Sequence, residues 1–387
     1  MNKIFLINFS IWKKRLLKPF FLSEPNSKIY YCDDLSSVIR KGIDKNSKVF
    51  IWGIKDYSDV NLKKIITYLD KHKISYHRVE DGFIRSVNLG AAHYMPYSLI
   101  FDSKGIYYDS TKESDLENIY NYYDFDSTND LFIRTSKLIK EILDLKISKY
   151  NHLCHKKLNI NRDYYDKVIL IPGQVIDDAS IIYGGCGMNN KKLILEVRRN
   201  NPNSYLIYKQ HPDVVASYRS GGIEDRFIND KCNLILENIS IDSCIDIADE
   251  IHTISSLCGF ESLIRDKKVV TYGMPFYAGW GLTEDKQTCI RRKRKLTVTQ
   301  LAAGALILYP KYINPKTKQL CSVETVTDEI IKEQKLYFSS RVYRVLKYIN
   351  WKRMRFINEF IYYFMHFKNV INKYIISRFI DSKKSKL

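Results

Sequence analysis

The chain has 387 residues, 45% hydrophobic and 27% charged, which excludes a disordered segment or one small core and suits two domains. Its formal charge of +19 points to anionic partners such as lipid headgroups, a phosphorylated donor or nucleic acid. That charge is uneven: residues 335–387 hold 13 Lys and Arg against Glu359 and Asp381, so +11 lies there and +8 on the rest.

From the first residue, "MNKIFLINFSIWKK" reads as a strand rather than a signal peptide, because its apolar stretch is short and broken by Asn8 and Ser10. No window offers about 18 uncharged apolar residues, so no spanning helix is expected. Short apolar runs then alternate with polar helical stretches: "KIFLINF", "SKIYYC", "SKVFIWG", a helical "DVNLKKIITYLDKH" and "ISYHRVE". That alternation predicts a parallel sheet covered on both faces. "VEDGFIRSVNLG" follows, carrying Glu80, Asp81, Gly82 and Arg85. "YSLIFD" and "GIYYD" read as a hairpin around Ser103–Lys104–Gly105, and a helical, lysine-rich passage covers 114–149. The polar "KYNHLCHKKLNINRDYYDK" marks the domain boundary. It groups His152, Cys154 and His155, but no second ligand pair has zinc-site spacing, so no metal is expected. The eight cysteines include no CxxC pair and read as reduced structural thiols.

A second alternating series runs through "KVILIPG", a helical "NKKLILEVRRNN", "SYLIYKQHPD", "CNLILE", "EIHTIS", a helix opening at "LCGFESLIRDK", and "KVVTYG". The expected fold is α/β, with two Rossmann-like, doubly wound domains (1–160 and 161–334) facing a cleft in a GT-B-like manner. Residues 335–387 place Val342, Leu346, Ile349, Phe356, Phe360, Phe364, Phe367, Ile371, Ile375 and Phe379 at steps of mostly three or four, with Lys and Arg opposite. Such a basic amphipathic helical tail suits an anionic membrane surface, or else a contact with protein.

In the second domain, polar residues repeatedly follow a strand, at the sheet edge where doubly wound folds bind ligands. Gln174, Asp177, Asp178 and Ser180 follow one strand, and Lys209, His211 and Asp213 the next. Ser255 and Ser256 begin a helix, with Gly259 allowing close backbone approach and Glu261 one turn on. Serines there can cap the helix or leave its N–H groups to a phosphate. With Lys209 and His211 adding charge and a proton donor, a nucleotide-phosphate site is expected. Asp177 and Asp178 can cap the helix near Ala179, bind a metal, or attack an anomeric carbon. The D-x-D cue for a metal is absent, which favours the nucleophile.

These stretches together resemble the bacterial capsule β-Kdo transferases of the KpsC type, which move 3-deoxy-manno-octulosonic acid (Kdo) from CMP-Kdo. The matching segments run in order over about 5–330, among them "EDGFIRS", "SLIFDSKGIYYD", "SKYN", "PGQVIDDASI", "YKQHPDV", "ADEIHTISSLCGFESLIR", "GMPFYAGWGLTED" and "LILYPKYINP". The likeness is to the C-terminal of the two modules that full-length members carry. It implies a GT-B fold, retention at the Kdo anomeric carbon and no metal or other cofactor beyond the CMP-Kdo donor. It further implies Asp178 as nucleophile, Glu80 as acid/base, and His211 with Lys209 on the donor phosphate. Gln174, Ser255, Ser256 and Glu261 complete the expected donor side. Arg85 could hold a Kdo or acceptor carboxylate or form an ion pair, with Asp81 orienting its neighbours. Tyr277 and Trp280 in "PFYAGWGLT" could stack on sugar or cytosine or close the interdomain seam, and "RRKRK" (291–295) reads as a solvated basic loop.

The expected partners are a Kdo-bearing glycolipid acceptor, the anionic membrane through the tail, and a second Kdo transferase, at the cytoplasmic face of the inner membrane. The "HP" and paired-serine features also resemble CMP-sialic acid transferases, the competing enzyme reading. A lipid- or nucleic-acid-binding protein would explain the charge alone, but no RNA-binding motif appears, and nucleic acid is not an expected partner.

Overall fold

The computed structural model describes residues 2–353, apart from 23–25, 55–57, 91–92, 128, 154, 220–221 and 350–351, together with 356–357. Among these, thirteen strands form two sheets. In chain order they are β1 (Asn2–Ile7), β2 (Ser27–Cys32), β3 (Lys48–Trp52), β4 (His77–Asp81), β5 (Ser98–Asp102), β6 (Val168–Pro172), β7 (Tyr205–Lys209), β8 (Leu234–Leu236), β9 (Glu250–Thr253), β10 (Lys268–Thr271), β11 (Glu284–Asp285), β12 (Pro310–Ile313) and β13 (Leu320–Cys321).

The second sheet has the order β11-β10-β9-β6-β7-β8 and is parallel throughout. Read from β8, its strands run third, second, first, fourth, fifth, sixth, the order of a dinucleotide-binding fold, with the direction of winding changing between β6 and β9. β6 is buried at every residue, which is why its "VILIP" is an unbroken apolar run.

The first sheet has the order β13-β12-β5-β4-β3-β1-β2. β2, β1, β3 and β4 are parallel, whereas β5, β12 and β13 add antiparallel pairings, so this sheet is mixed rather than doubly wound throughout. The chain therefore leaves the second sheet after β11 and returns to the first, and the second unit does not run to residue 334 as alternation alone suggests. The helix Val298–Ala303 crosses with it and packs on the helix Asn129–Asp144.

That return also removes the expected hairpin at 103–105. The free edge of β5 is taken by β12, and "GIYYD" is a turn rather than a strand. Asp102 holds the turn, its Oδ1 accepting from the N–H groups of Lys104 (2.9 Å) and Gly105 (2.8 Å). The passage 114–149 divides into the helices Asp115–Tyr122 and Asn129–Asp144.

A continuous apolar core joins the two sheets. Phe83 of the first unit lies 4.6 Å, ring centre to ring centre, from Phe276 of the second, and both belong to one buried cluster. The tail of 335–387 opens on the end of the helix Val323–Ser339, is interrupted where Ser340 turns extended, and is helical again over 341–349, so the helix is not continuous. Residues 352–353 and 356–357 are helical too, and the rest of the tail lies outside the described residues.

Candidate functional site

A cleft of about 850 Å³ opens between the carboxyl ends of the two sets of parallel strands. The loops after β6, β7 and β9 line one wall, and the loops after β1, β3 and β4 the other. The switch point of the second sheet therefore faces the end of β4, where Glu80 and Asp81 stand.

Three loops build the second-unit wall. Asp178 is the N-cap of the helix Ala179–Gly184, its Oδ1 accepting from the Ser180 N–H at 2.9 Å. Arg219 reaches its Oδ2 at 3.4 Å and pairs with Asp177 at 2.8 Å. Both aspartates line the cleft, and the Asp178 side chain is 39% exposed against 65% for Asp177, so the capping residue is the more buried of the two.

On the next loop, His211 caps the turn Pro212–Val215, its Nδ1 accepting from the Asp213 N–H at 3.1 Å. Burial pushes its pKa down to about 4 against the opposing pull of Asp178. The imidazole is neutral at physiological pH, and with Nδ1 occupied as an acceptor its proton sits on Nε2. His211 therefore offers a hydrogen bond and no positive charge. Lys209 supplies charge, although burial lowers its pKa as well, and its Nζ donates to the Gln210 carbonyl at 2.8 Å.

At the switch point, Gln174 and Ser255 bind each other twice. The Ser255 N–H donates to Gln174 Oε1 (3.0 Å), and Gln174 Nε2 donates to Ser255 Oγ (3.1 Å). Ser256 caps the helix Leu257–Leu263 by accepting from the Cys258 N–H, and its own N–H donates to Thr253 Oγ1. Several N–H groups that the sequence offers to a phosphate are thus already satisfied within the protein. Ser255 and Ser256 line the floor of the cleft beside Lys209 and His211. Glu261 also lines the cleft, accepts the Lys149 N–H at 3.0 Å, and has its carboxyl pushed up by burial.

On the opposite wall, burial raises the Glu80 carboxyl, with Asp81 adding to the rise and Lys13 opposing it. Asp81 is driven the other way. Burial would raise it too, but the Arg85 guanidinium, 2.6 Å from Oδ2, prevails and holds it low. The pKa values of two adjacent acids are thereby moved in opposite directions.

Three expected ligand-binding residues do not reach the cleft. Arg85 is 0% exposed and spends its guanidinium on Asp81, Ser86 Oγ and the Tyr94 carbonyl, so its ion pair is internal. Trp280 is equally buried, donating from Nε1 to the Phe276 carbonyl and packing edge-on against Tyr120. Tyr277 is buried as well, and its hydroxyl donates to the Ser256 carbonyl. Tyr277 and Trp280 are core residues of the interdomain seam, and Gly259 leaves room for the Tyr277 ring rather than for a ligand. "RRKRK" is not a solvated loop either: Arg291 and Arg292 both pair with the buried Glu117 and tie the second unit to the first.

Sequence reasoning assigned no role to Lys149, Tyr107, Tyr108 or Arg219, which line the same cleft. The only signal for Lys149, Tyr107 and Tyr108 was membership in the quoted "SKYN" and "GIYYD" stretches, and Arg219 lies in neither. Burial works against the Lys149 ammonium, but its phenolic neighbours Tyr150 and Tyr107 and the carboxylates of Asp81 and Asp178 outweigh it and hold the pKa above the ordinary lysine value. His152 also faces the cleft, its Nδ1 buried without a hydrogen-bond partner among the described residues, as is Asp81 Oδ1. Orphaned polar atoms in a cavity wall mark a place where a ligand or water completes the bonding. His155 instead pairs with Asp246, and Cys154 lies outside the described residues. No group of three or more His, Cys, Asp or Glu side chains among the described residues is arranged to hold a metal ion.

Comparison with known proteins places this cleft in a family. Residues 48–312 match the family model described as capsule polysaccharide biosynthesis protein. The chain is 40% identical over 338 residues to the capsule polysaccharide modification protein LipA of Neisseria meningitidis, covering 87% of this chain and 46% of that protein. It is 37% identical over 262 residues to the lipopolysaccharide-processing protein LpsZ of Rhizobium meliloti, covering 67% and 58%. The chain thus spans about half the length of these curated relatives. Two solved structures from Thermosulfurimonas dismutans share the fold. KpsC described as a beta Kdo 2,4 transferase superposes with a TM-score of 0.72 at 31% identity, over 84% of this chain and 97% of that one. KpsC described as a beta Kdo 2,7 transferase gives 0.66 at 33% identity, over 86% and 100%. With a family match across most of the two-sheet body and this fold around the cleft, the chain belongs to the capsule polysaccharide biosynthesis family.

Proposed function

We propose that this chain is a retaining, GT-B-like β-Kdo transferase. It moves Kdo from CMP-Kdo to a Kdo- or glycolipid-type acceptor in capsule or related surface-polysaccharide assembly. The observation that carries the reading is one cleft holding Asp178, Lys209 and His211 at a nucleotide-type switch point, opposite Glu80 on the other sheet. The names of the two KpsC structures as Kdo transferases support it.

In this mechanism CMP lies over the ends of β6, β7 and β9, with its phosphate met by the Lys209 ammonium and the His211 Nε2–H. An Asp178 carboxylate oxygen bonds to the anomeric carbon as the bond from that carbon to the phosphate oxygen breaks, and CMP departs with the electron pair. The acceptor hydroxyl then attacks the same carbon, Glu80 takes its proton, and the Asp178 carboxylate leaves. Two displacements give net retention. No metal or other cofactor is invoked.

The same reading puts the protein at the cytoplasmic face of the inner membrane, held there by its C-terminal region and working beside a second transferase. Among the described residues no helix is long and apolar enough to cross a membrane. The length of the relatives favours the second module, because this chain matches about half of each.

Incubation with CMP-Kdo and no acceptor tests the reading. Mass spectrometry should find one Kdo on Asp178, and Asp178→Asn should carry none while remaining folded, since asparagine caps a helix as well as aspartate does. Sugar on another residue, or release of CMP from CMP-sialic acid but not from CMP-Kdo, would refute it.

A further inference from the structure

Lys149 is the cleft cation that this mechanism leaves without work. Its backbone is fixed from three sides. The loop 148–151 is closed by Asn151, whose Oδ1 accepts from the Ser148 N–H at 2.9 Å and whose Nδ2 donates to the Ser86 carbonyl at 3.0 Å. The Lys149 N–H donates to Glu261 of the second unit, and Gln334 of the terminal helix donates to the Asn151 carbonyl at 3.2 Å. The loop so held places Lys149 in the cleft wall.

The other cations around the cleft are engaged. Arg85 is buried against Asp81, and Arg219 pairs with Asp177 and Asp178. Lys209 donates to the Gln210 carbonyl, and Lys13 lies 3.3 Å above the Trp52 ring centre. The Lys149 ammonium rests 5.6 Å from the Tyr150 ring centre, and no hydrogen bond or ion pair to it is found among the described residues.

The chemistry of the donor says what such a cation is for. In a 2-keto sugar acid the carboxylate is attached to the anomeric carbon itself. It must therefore enter the space bounded by Asp178 on one wall and Glu80 and Asp81 on the other. A fourth carboxylate placed there without a counter-charge is repelled. We propose that Lys149 receives the carboxylate of the transferred sugar acid, which makes it the residue that selects sugar acids over neutral sugars at this site. This inference rests on the proposed function and adds to it the substrate group that the loop 148–151 recognises.

The test compares the KM for CMP-Kdo with the inhibition constant of CMP, which has the nucleotide and phosphate but no sugar carboxylate. Lys149→Met should raise the donor KM about tenfold or more, the usual effect of losing a charge-assisted hydrogen bond, and leave CMP inhibition within about twofold. Lys149→Arg should recover most of the donor affinity. A donor analogue whose carboxylate is an amide tests the wild-type enzyme without any variant: it should bind about tenfold or more weaker than CMP-Kdo. Equal weakening of CMP and CMP-Kdo would place the lysine on the phosphate, or make it only a support for the loop. An amide analogue bound as well as the acid, or an unchanged KM in Lys149→Met, would also overturn the proposal. A wild-type enzyme that neither binds nor cleaves CMP-Kdo would instead defeat the proposed function, and this inference with it.

Discussion

Glu80 and Asp81 are neighbours in sequence whose pKa values move in opposite directions, burial raising the first and Arg85 lowering the second. The Arg85 guanidinium is buried against the Asp81 carboxylate and favours its ionised form, and the negative charge of Asp81 adds to the rise at Glu80. A base must be deprotonated to act. The acid limb of kcat/KM should therefore lie above the ordinary glutamate range, with activity falling as pH drops through the raised Glu80 pKa. Asp81→Asn removes the charge that raises Glu80 and leaves the positive Arg85 nearby. Both changes favour ionised Glu80, so the acid limb should move to lower pH. Taking away the charge partner of a buried arginine should also cost about 3–5 kcal/mol of stability, read as a lowered Tm. An acid limb that stays in place would remove Glu80 from the proton transfer. Side chains of this kind were only half legible in the sequence. Glu80, Asp178, Lys209 and His211 could be found because each closes or directly follows a β-rich run, and the ends of parallel strands share one edge. Arg85, Tyr277, Trp280 and Lys149 lie inside loops, where no period of two or 3.6 fixes the direction of a side chain, so their burial or exposure could not be read.

The helix Leu257–Leu263 shows how an element is positioned by a residue that never meets the substrate. Tyr277 donates to the Ser256 carbonyl at 2.5 Å, and its ring lies flush against Gly259. A Cβ on Gly259 would stand 2.2 Å from the Tyr277 hydroxyl oxygen and 2.6 Å from the ring carbon that bears it. Because the tyrosine is buried, it cannot swing into water to make room. Gly259→Ala should therefore cost about 1–3 kcal/mol through overpacking. It should also weaken CMP binding, since the displaced ring no longer holds the Ser256 corner beside Ser255 and Gln174. Calorimetry of CMP binding alongside a thermal melt separates the two effects. A lower Tm with unchanged CMP affinity would detach this helix from the donor site. The glycine itself was visible as a place of close approach. What approaches it came from eighteen residues further along the chain, which local pattern cannot show.

At the scale of the molecule, the second sheet was legible from β6 to β10 because its strands there are joined by helical crossovers, the arrangement that apolar runs separated by helical stretches imply, whereas β11 follows β10 through a helix-free segment. The first sheet was less so, since β12 and β13 join it from beyond the second unit, and pairing between distant strands leaves no mark in local periodicity. The charge reads more directly. Past Ser340, Tyr343, Arg344 and Lys347 turn inward: Arg344 donates to the Tyr337 and Phe338 carbonyls, and Lys347 pairs with Glu333 at 2.6 Å. The other side of the same helix leaves Val342, Val345, Leu346 and Ile349 about half or more exposed, at the spacing of one helical face. An apolar stripe in a tail that carries a net +11 over 335–387 suits an anionic bilayer. Leu346→Glu with Ile349→Glu changes only exposed positions and so should leave folding and soluble CMP release intact. Removing two inserted aliphatic side chains should lower co-sedimentation with vesicles of anionic phospholipid by about tenfold or more, and added salt should release the wild type as well. If the doubly substituted protein pelleted like the wild type, this face of the helix would not be what meets the membrane.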